Sequence, residues 1–379
     1  MSSNRASILI VGGGLSGLHA AWALQNRGFH DFRIIEARGR LGGRIETGTT
    51  GPFLVPGTLQ AEDVPHRFDL GPTWFWPEYQ REFDHLLTSL GLERFPQFES
   101  GHMMFERSPN EAPSRMEGFT SQPTSMRVAG GMQSLIDALR QRIDGNRIVT
   151  GQTVRRISRV VDGVELEVSD DRGDAGSWAG DTVLLAVPPR LADATIAFSP
   201  PLPAELSSQW RDTATWMAPH AKYLAVYDVP FWRQAGLSGN ARSGAGPMVE
   251  IHDASSAGGL FGLFGFIGIP APVRRKIGHS ELILHCRAQL VRLFGADAAA
   301  PRQEFLKDWA ADDRTAVEAD LHGTAQHGPA PETVAHSGPW ENRVIGIASE
   351  WSPQYPGYLA GAVDAANAGA LRALSLARG

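Results

Sequence analysis

An apolar run, a helix pattern and a second apolar run open the chain. Residues 6–11 (ASILIV) are apolar without alternation, which is typical of a strand buried on both faces of a parallel sheet. The helix predicted over Leu15–Arg27 carries small residues at three- and four-residue spacing on one face, and Gly28 ends it. Residues 31–37 (DFRIIEA) predict the next strand. The pattern therefore predicts a strand–helix–strand unit with parallel strands, the building block of an α/β fold.

The rest of the chain adds further strands and two more helix patterns. Met126–Ile143 contains a Gly-Gly turn and then a helix with one apolar face. Residues 155–170 alternate between polar and apolar positions around an Asp-Gly turn, which predicts a hairpin. Buried strands are predicted within residues 182–189 and 343–350, and an Ala-rich helix over residues 361–376. Elements of the parallel-sheet type thus recur in the middle and near the end of the chain.

These elements divide the chain into two kinds of segment. The parallel-sheet elements lie in residues 1–74, 126–200 and 332–379, and we predict that they form one discontinuous domain. Residues 75–125 and 201–331 lie between them, and we predict that they form a second domain, inserted in two pieces. A chain of 379 residues is long enough for two domains of about 100–200 residues each.

Composition and charge argue against several classes of protein. Charged residues make up 20% of the chain, below the roughly 25% of typical soluble domains, so a large interior is expected. The net charge of −6 argues against a nucleic-acid-binding protein. The single cysteine, Cys286, excludes an intramolecular disulfide framework and fits a reducing compartment. The apolar runs are too short for a signal peptide or a membrane span, so we expect a cytoplasmic protein without membrane association.

Three glycines at the junction of the first strand and helix form a Gly-x-Gly-x-x-Gly motif. Gly12 suits the tight turn, Gly14 lets the backbone approach a pyrophosphate, and Gly17 lets the helix pack closely on the strand. The unpaired N–H groups at such a helix start bind phosphate. Glu36 follows Gly17 by 19 residues, where its carboxylate can accept hydrogen bonds from both hydroxyls of an adenosine ribose. Together these residues predict a dinucleotide-binding site.

A second glycine pair, flanked by arginines, follows the second strand. In the string EARGRLGGR, Gly42 and Gly43 allow close backbone approach, and Arg40 and Arg44 are placed to neutralise phosphate charge with forked donors. For Arg38 and Arg40 a solvated basic turn is the alternative interpretation. A nicotinamide-dependent enzyme has no need of this second phosphate clamp, so the block favours a different dinucleotide.

The string EARGRLGGR resembles the signature of the flavin-containing amine oxidase family, which includes monoamine oxidases, polyamine oxidases and L-amino-acid oxidases. Further strings resemble blocks of that family in the same order along the chain: FDLGPTW, VAGGMQSL, TVRRI, LLAVPPRLADATIAFSPPLP, ASEW and GYLAGAVDAANAGA. The resemblance implies an α/β fold, in which a Rossmann-like FAD-binding domain carries an inserted α+β substrate-binding domain built on a mixed sheet. The first of the two predicted domains would be the FAD-binding one.

The resemblance also implies which residues contact FAD. In the family, the segment matching Phe68 to Trp74 lies along the flavin, and Val154 matches a valine that meets the adenine through its main chain. Glu350 occupies the family's acidic position, and Leu359 lies beside the isoalloxazine. The expected cofactor-binding residues are Gly12, Gly13, Gly14, Leu15, Ser16, Gly17, Glu36, Ala37, Arg38, Gly42, Gly43, Arg44, Gly71, Pro72, Thr73, Trp74, Val154, Glu350 and Leu359. Some members attach the flavin through a cysteine in the stretch after Trp309, and this chain has none there, so non-covalent FAD is expected.

The chemistry implied by the resemblance is the oxidation of a small, largely apolar amine. A hydride leaves the α-carbon for flavin N5, the imine hydrolyses to an aldehyde or ketone, and the electrons pass to O2, giving H2O2, or to a protein electron acceptor. Lys222, in the apolar run AKYLAVY, resembles the family's lysine near N5, and a buried lysine there would have a lowered pKa. A strand lysine that reaches solvent is the alternative interpretation.

One aromatic wall of the family's substrate site has a match in this chain. Tyr358 resembles one of two facing aromatic residues that guide the amine onto the flavin. The second is expected within residues 319–329, which contain no Tyr or Phe. Either His322 or His327 completes the cage, or the cage is incomplete, which puts simple monoamine specificity in doubt.

The strings EIHDASS and GLFGFIGIP resemble the strand pair beneath the family's substrate pocket. Three apolar residues of this region are expected to line the pocket: Val249, Ile251 and Phe266. For each of them alone, ordinary sheet core is an equally good interpretation.

Other functions are compatible with parts of the same pattern. An FAD-dependent desaturase or isomerase of an apolar substrate shares the N-terminal signature, although it has less need of Lys222 and Tyr358. A flavin-binding or sensor protein without turnover would fit an incomplete cage. The sequence has no zinc-binding or serine-hydrolase motif, so we expect no metal. It leaves the oligomeric state open, with a homodimer as one arrangement.

Overall fold

The computed structural model describes residues 4–51, 53–54, 61–62, 66–257, 259–322 and 328–378. Its strands are β1 (Ile8–Val11), β2 (Phe32–Ile35), β3 (Thr47–Thr49), β4 (Phe53–Leu54), β5 (Ala61–Glu62), β6 (Arg67–Asp69), β7 (Arg94–Pro96), β8 (His102–Glu106), β9 (Ser114–Met116), β10 (Met126–Val128), β11 (Ile148–Val149), β12 (Thr153–Val160), β13 (Gly163–Ser169), β14 (Ala175–Gly180), β15 (Thr182–Leu185), β16 (Ala197–Ser199), β17 (Ala221–Tyr227), β18 (Leu237–Ser243), β19 (Met248–Asp253), β20 (Phe261–Ile267), β21 (Gln303–Asp308) and β22 (Val344–Gly346). Its α-helices are α1 (Leu15–Gln25), α2 (Arg81–Ser89), α3 (Gln133–Arg142), α4 (Pro189–Thr195), α5 (Ala204–Asp212), α6 (Phe231–Gln234), α7 (Ala271–Arg274), α8 (His279–Phe294) and α9 (Leu359–Arg378).

A five-stranded parallel sheet carries the predicted strand–helix–strand unit. Its strand order is β11-β2-β1-β15-β22, so β1 lies at the centre. Ile8 and Ile10 on one face of β1 belong to the same apolar core as α1, α3 and α9, whereas Leu9 and Val11 belong to the core shared with β12 and β13. Burial on both faces explains why this strand is apolar without alternation. The α/β prediction for this part of the chain is confirmed.

The predicted hairpin forms part of a four-stranded sheet, of order β14-β13-β12-β16, which covers one face of the parallel sheet. β12 and β13 pair in antiparallel register on either side of the Asp-Gly turn, as expected. Gly163 sits in this turn with a positive φ of 132°, and a Cβ there would lie 2.1 Å from the carbonyl oxygen of Gly180. Only glycine therefore fits this corner.

A seven-stranded mixed sheet, of order β21-β17-β20-β19-β18-β8-β9, forms the second main layer. Its strands come from residues 102–116 and 221–308, and β8 and β18 are its parallel pair among otherwise antiparallel neighbours. Alternate residues of β17 face opposite sides: Tyr223 joins the apolar core formed with α8, and Leu224 joins the core formed with β6. Lys222 therefore lies on the Leu224 side, opposite α8. Cys286 is buried in the α8 core, where it is an ordinary packing residue.

The last helix, α9, packs along α1 and begins at Leu359, two residues before the predicted start. Gly28, with φ of 77°, ends the first helix region as expected. None of the helices among the described residues is sufficiently long and apolar to span a bilayer.

Candidate active site

The glycine turn after β1 lines a large cavity with backbone atoms rather than side chains. Gly12 has a φ of 108°, and a Cβ on Gly17 would lie 2.0 Å from the Gly12 carbonyl oxygen, so both positions require glycine. A Cβ on Gly14 would meet nothing closer than 3.8 Å, so the backbone at Gly14 faces open space. Gly14 caps α1 without a side-chain hydrogen bond, and the first turn of α1 contains no acidic residue. The first N–H groups of an α-helix have no partner within the helix, and Leu15 and Ser16 at the start of α1 line the cavity, so this helix start suits an anion.

Glu36 is held at the edge of this turn by the backbone. The N–H of Gly13 donates to one carboxylate oxygen at 2.6 Å, and the N–H of Arg38 donates to the other at 2.7 Å. Glu36 is 3% exposed and lines the cavity, and each carboxylate oxygen keeps a lone pair that a ribose hydroxyl could use. Gly13 and Ala37 are not among the lining residues, and Gly13 contributes through the backbone N–H that holds Glu36.

The second glycine pair packs directly on the first turn. Gly42 and Gly43 have φ values of 105° and 58°, and the N–H of Gly42 donates to the carbonyl oxygen of Gly13 at 2.9 Å. Both glycines line the cavity. The expectation that Arg40 faces phosphate is wrong, because Arg40 does not line the cavity. Its guanidinium binds the carboxylate of Glu46 and donates to the carbonyl oxygen of Gly43 at 3.1 Å. Arg40 therefore stabilises the glycine turn from outside the cavity.

Arg44 and Glu350, predicted separately as cofactor contacts, form one ion pair. Arg44 Nη2 donates to Glu350 Oε2 at 3.0 Å, and Glu350 is 3% exposed. Burial alone would raise the pKa of Glu350, but Arg44 more than offsets this effect and holds that pKa below its ordinary value. Arg44 lines the cavity and Glu350 does not. Glu350 therefore orients the arginine that faces the cavity.

The segment from Gly71 to Trp74 forms another part of the cavity wall. Gly71, Pro72, Thr73 and Trp74 all line the cavity, as do Arg38 and Leu359. Val154 does not: its side chain is buried in the core beneath β1, and its backbone lies within β12 opposite Val168.

Lys222 is buried at the junction of this segment and the seven-stranded sheet. Its Nζ donates to Thr73 Oγ1 at 2.7 Å and to the carbonyl oxygen of Gly71 at 3.3 Å, and it lies 4.0 Å from the centre of the Phe264 ring. Burial lowers the pKa of Lys222 to about 7, with partial compensation by the carboxylate of Asp69. The lysine is 2% exposed and lines the cavity, so it does not reach into bulk solvent.

Aromatic side chains line the cavity, and Phe266 and Trp74 among them lie near Lys222. Trp74, Phe266, Trp76 and Tyr358 all line it, and the rings of Trp76 and Tyr358 meet edge-to-face with centroids 6.4 Å apart. Trp76 has no predicted role from the sequence, although it ends the aromatic run FDLGPTWFW that contains Trp74. The cavity has a volume of about 720 Å³, which is within the range of cofactor- and ligand-binding pockets.

Two of the expected pocket residues, Ile251 and His322, lie outside the cavity lining. Ile251 is fully buried on the α8 side of its sheet, because side chains along a strand alternate and Ile251 has the opposite orientation to the cavity-lining Glu250. His322 is an exposed residue that contacts Glu318 at 2.9 Å and does not line the cavity. The expectations for Ile251 and His322 are therefore wrong. His327 lies outside the described residues, and Val249 lines the cavity.

Comparison with known proteins gives the same family for most of the chain. The family model described as flavin containing amine oxidoreductase matches residues 109–374, and the model described as an NAD(P)-binding Rossmann-like domain matches residues 10–90. The chain belongs to the flavin-containing amine oxidoreductase family.

Similarity to individual members is moderate. A Mycobacterium tuberculosis protein, provisionally named flavin-containing monoamine oxidase AofH, is 31% identical over 251 residues, which cover 62% of this chain and 50% of that protein. The putrescine oxidase of Kocuria rosea is 28% identical over 222 residues, which cover 53% of this chain and 44% of that protein. The chain thus spans about half the length of these two relatives. A putrescine oxidase mutant redesigned in cofactor binding matches 99% of both chains with a TM-score of 0.76 and 20% identity, which shows a shared fold.

Membership of this flavin family makes FAD the cofactor, and the residues present fit it. The uncapped start of α1 suits the diphosphate, Glu36 suits the ribose, and the open space beside Gly14 admits the backbone approach that FAD needs. The single cysteine, Cys286, is buried in α8 and does not line the cavity, so no thioether can tether the flavin. The FAD is therefore held without a covalent link to cysteine.

Proposed function

We propose that the protein oxidises the C–N bond of a small amine at the Lys222 end of the cavity. The observation that carries this proposal is the buried lysine fixed on Thr73, at the point where the segment expected along the flavin meets aromatic side chains. Burial of a lysine costs folding free energy, and ionisable groups with strongly shifted pKa values in a cavity are candidates for functional groups. Such a position suits proton transfer beside a redox cofactor.

FAD, when bound, supplies a hydride acceptor for the α-carbon of the amine. The residues of the chain supply the rest. Trp74, Phe266, Trp76 and Tyr358 form an apolar wall that favours the neutral amine over its ammonium form and excludes water. A pKa of about 7 lets Lys222 exchange a proton at neutral pH, so that its Nζ can take a proton from a water molecule that hydrolyses the imine. The products are an aldehyde or ketone and ammonia or a shorter amine.

The electrons taken from the amine pass to O2 or to a protein electron carrier. Two electrons leave each amine, and O2 accepts them with two protons to give H2O2, or a protein electron carrier accepts them. A buried cationic or proton-donating lysine near the site of oxygen reduction favours the first route, because it stabilises the negative charge that O2 gains on its first reduction.

An anaerobic reduction screen tests the proposed function. The FAD-loaded protein is mixed with primary, secondary and aromatic amines and with amino acids, and loss of the oxidised flavin absorbance is followed. We expect at least one amine class to bleach the flavin within seconds to minutes, and air to restore the absorbance with formation of H2O2. If dithionite reduces the flavin but no amine does, while an apolar polyene is converted, the protein is a desaturase or isomerase instead.

A further inference from the structure

A short turn that follows β21 reaches the cavity wall near Glu36. The turn consists of residues 312–315 (DDRT), here named the strap. Two of its residues, Arg314 and Thr315, line the same cavity as Glu36 and Arg38. Thr315 is 2% exposed, so the strap is packed against the wall and does not project into solvent at this position. The strap therefore brings two polar side chains to the cavity that the Gly-x-Gly-x-x-Gly motif does not account for.

One end of the strap is tied to the loop after β2. Arg38 Nη2 donates to Asp312 Oδ1 at 2.7 Å and to Thr315 Oγ1 at 3.1 Å. Lys307 Nζ donates to Asp312 Oδ2 at 3.1 Å. Burial alone would raise the pKa of Asp312, but Arg38 and Lys307 more than offset this effect and lower it. The backbone N–H of Arg38 donates to Glu36, so a single residue joins the strap to the carboxylate that suits the ribose.

The other tie of the strap is to β12. Arg314 Nη1 donates to Thr153 Oγ1 at 2.7 Å, although the two residues are 161 positions apart. Arg314 lines the cavity and Thr153 does not, so the guanidinium extends from the cavity wall to the start of β12. That start lies beside Glu36, because the N–H of Gln152 donates to the Glu36 carbonyl oxygen at 3.0 Å. The strap is thus held on the two backbone segments that flank Glu36.

We propose that the strap closes over the adenosine end of bound FAD and has to open for the cofactor to enter or leave. Glu36 suits the ribose, so the part of the cavity beside it receives the adenosine half. A guanidinium stacks on aromatic rings, and Arg314 brings such a group to the wall where adenine would lie. Because no cysteine tethers the flavin, contacts of this kind decide how long FAD stays bound. The inference concerns cofactor exchange and does not depend on the proposed amine oxidation.

Thr153→Val tests the strap, because it removes the hydroxyl that holds Arg314 and leaves the cavity lining unchanged. Flavin fluorescence measures both the uptake of FAD by the flavin-free protein and its release from diluted holoenzyme. We expect both rates to rise by about tenfold, the range of one hydrogen bond to a charged group, since a loosened strap is open more of the time. Release at the wild-type rate would overturn the inference. Faster release with unchanged uptake would also overturn it, because the strap would then not control entry.

A matched threonine provides the control. Thr88 Oγ1 in α2 accepts from Arg94 Nη1 at 2.8 Å, and neither residue lines the cavity, so Thr88→Val should retain the wild-type rates. If Thr88→Val accelerates release as much as Thr153→Val does, the effect is a general loss of stability and the inference is wrong.

Arg314→Met tests the contact with adenosine. It removes the tie to Thr153 together with the guanidinium in the cavity wall, so release should be faster than in Thr153→Val and the equilibrium affinity for FAD should fall. If Arg314→Met and Thr153→Val release FAD at the same rate, Arg314 makes no contact with the adenosine and that part of the inference is wrong.

Discussion

Lys222 Nζ donates a hydrogen bond of 2.7 Å to Thr73 Oγ1, which joins the seven-stranded sheet to the loop that follows β6. The two residues are 149 positions apart in the chain, and both are buried. The carbonyl oxygen of Gly71 accepts a second, longer hydrogen bond from the same nitrogen. The segment expected beside the flavin therefore fixes the position of the lysine, and chemistry at Lys222 depends on that segment.

Replacement of Lys222 tests its part in the oxidative half of the reaction. We expect Lys222→Met to retain FAD and to slow reoxidation of the reduced flavin by O2 at least about tenfold, because proton delivery or charge stabilisation is lost. Stopped-flow absorbance after anaerobic reduction measures the rate. Lys276→Met is the matched control, since Lys276 is exposed and does not line the cavity. Unchanged reoxidation in Lys222→Met would remove the proposed role.

The lowered pKa of Lys222 also makes the stability of the fold depend on pH. Burial lowers this pKa to about 7 in the folded protein, whereas an unfolded lysine titrates at about 10.4. Between these values the unfolded chain binds more protons, so stability rises with pH in this window, and below pH 7 the full cost of the buried charge is present.

Lys222→Met removes that dependence. From pH 7 to pH 9 we expect the free energy of unfolding of the wild type to rise by about 2 kcal/mol relative to the Met variant. Urea unfolding of both proteins at each pH measures the difference, with Lys276→Met as the reference for a solvent-exposed lysine. Parallel pH curves for the wild type and Lys222→Met would mean that Lys222 titrates near its ordinary value in the folded protein.

Much of the fold was predictable because it depends on local rules. The run from Ile8 to Val11 is apolar because β1 is buried on both faces. At Gly12 and Gly17 the backbone geometry admits only glycine, and the Gly-x-Gly-x-x-Gly motif shows this requirement in the sequence. Positions in the site were harder to predict where they depend on distant contacts. Arg44 and Glu350 are 306 residues apart, and no pattern along the chain indicates that they form a pair.

The wrong prediction for Ile251 has a physical cause in its strand. The alternation along β19 contains an irregularity between Met248 and Glu250, which turns both Val249 and Glu250 to the cavity and leaves Ile251 on the α8 side. A bulge of this kind has no signal in composition or hydrophobic period. Glu250 was missed for the same reason, since a strand of strict period two would place Val249 and Ile251 on one face.

Thr73 is expected to position Lys222 without touching substrate. Thr73→Val removes the hydroxyl that accepts from Nζ, so the protonated lysine loses a partner and its pKa should fall further. We expect the pH profile of the flavin half-reactions to shift to lower pH in Thr73→Val, and Thr73→Ser, which keeps the hydroxyl, to restore it. A merely structural role would give the same profile in both variants, with any loss confined to stability or FAD content.

Among the side chains around the glycine turn after β1, we expect that of Glu36 to contribute most to FAD affinity. Its carboxylate already accepts from the N–H groups of Gly13 and Arg38, so Glu36→Ala leaves two backbone donors without their acceptor and deprives the ribose hydroxyls of theirs. We expect FAD affinity to fall by about tenfold to a hundredfold, measured by fluorescence titration of the flavin-free protein. Glu167→Ala, at an exposed position of β13, should leave the affinity unchanged. Equal FAD affinity in Glu36→Ala and the wild type would show that Glu36 organises the turn alone and that the ribose is bound elsewhere in the cavity.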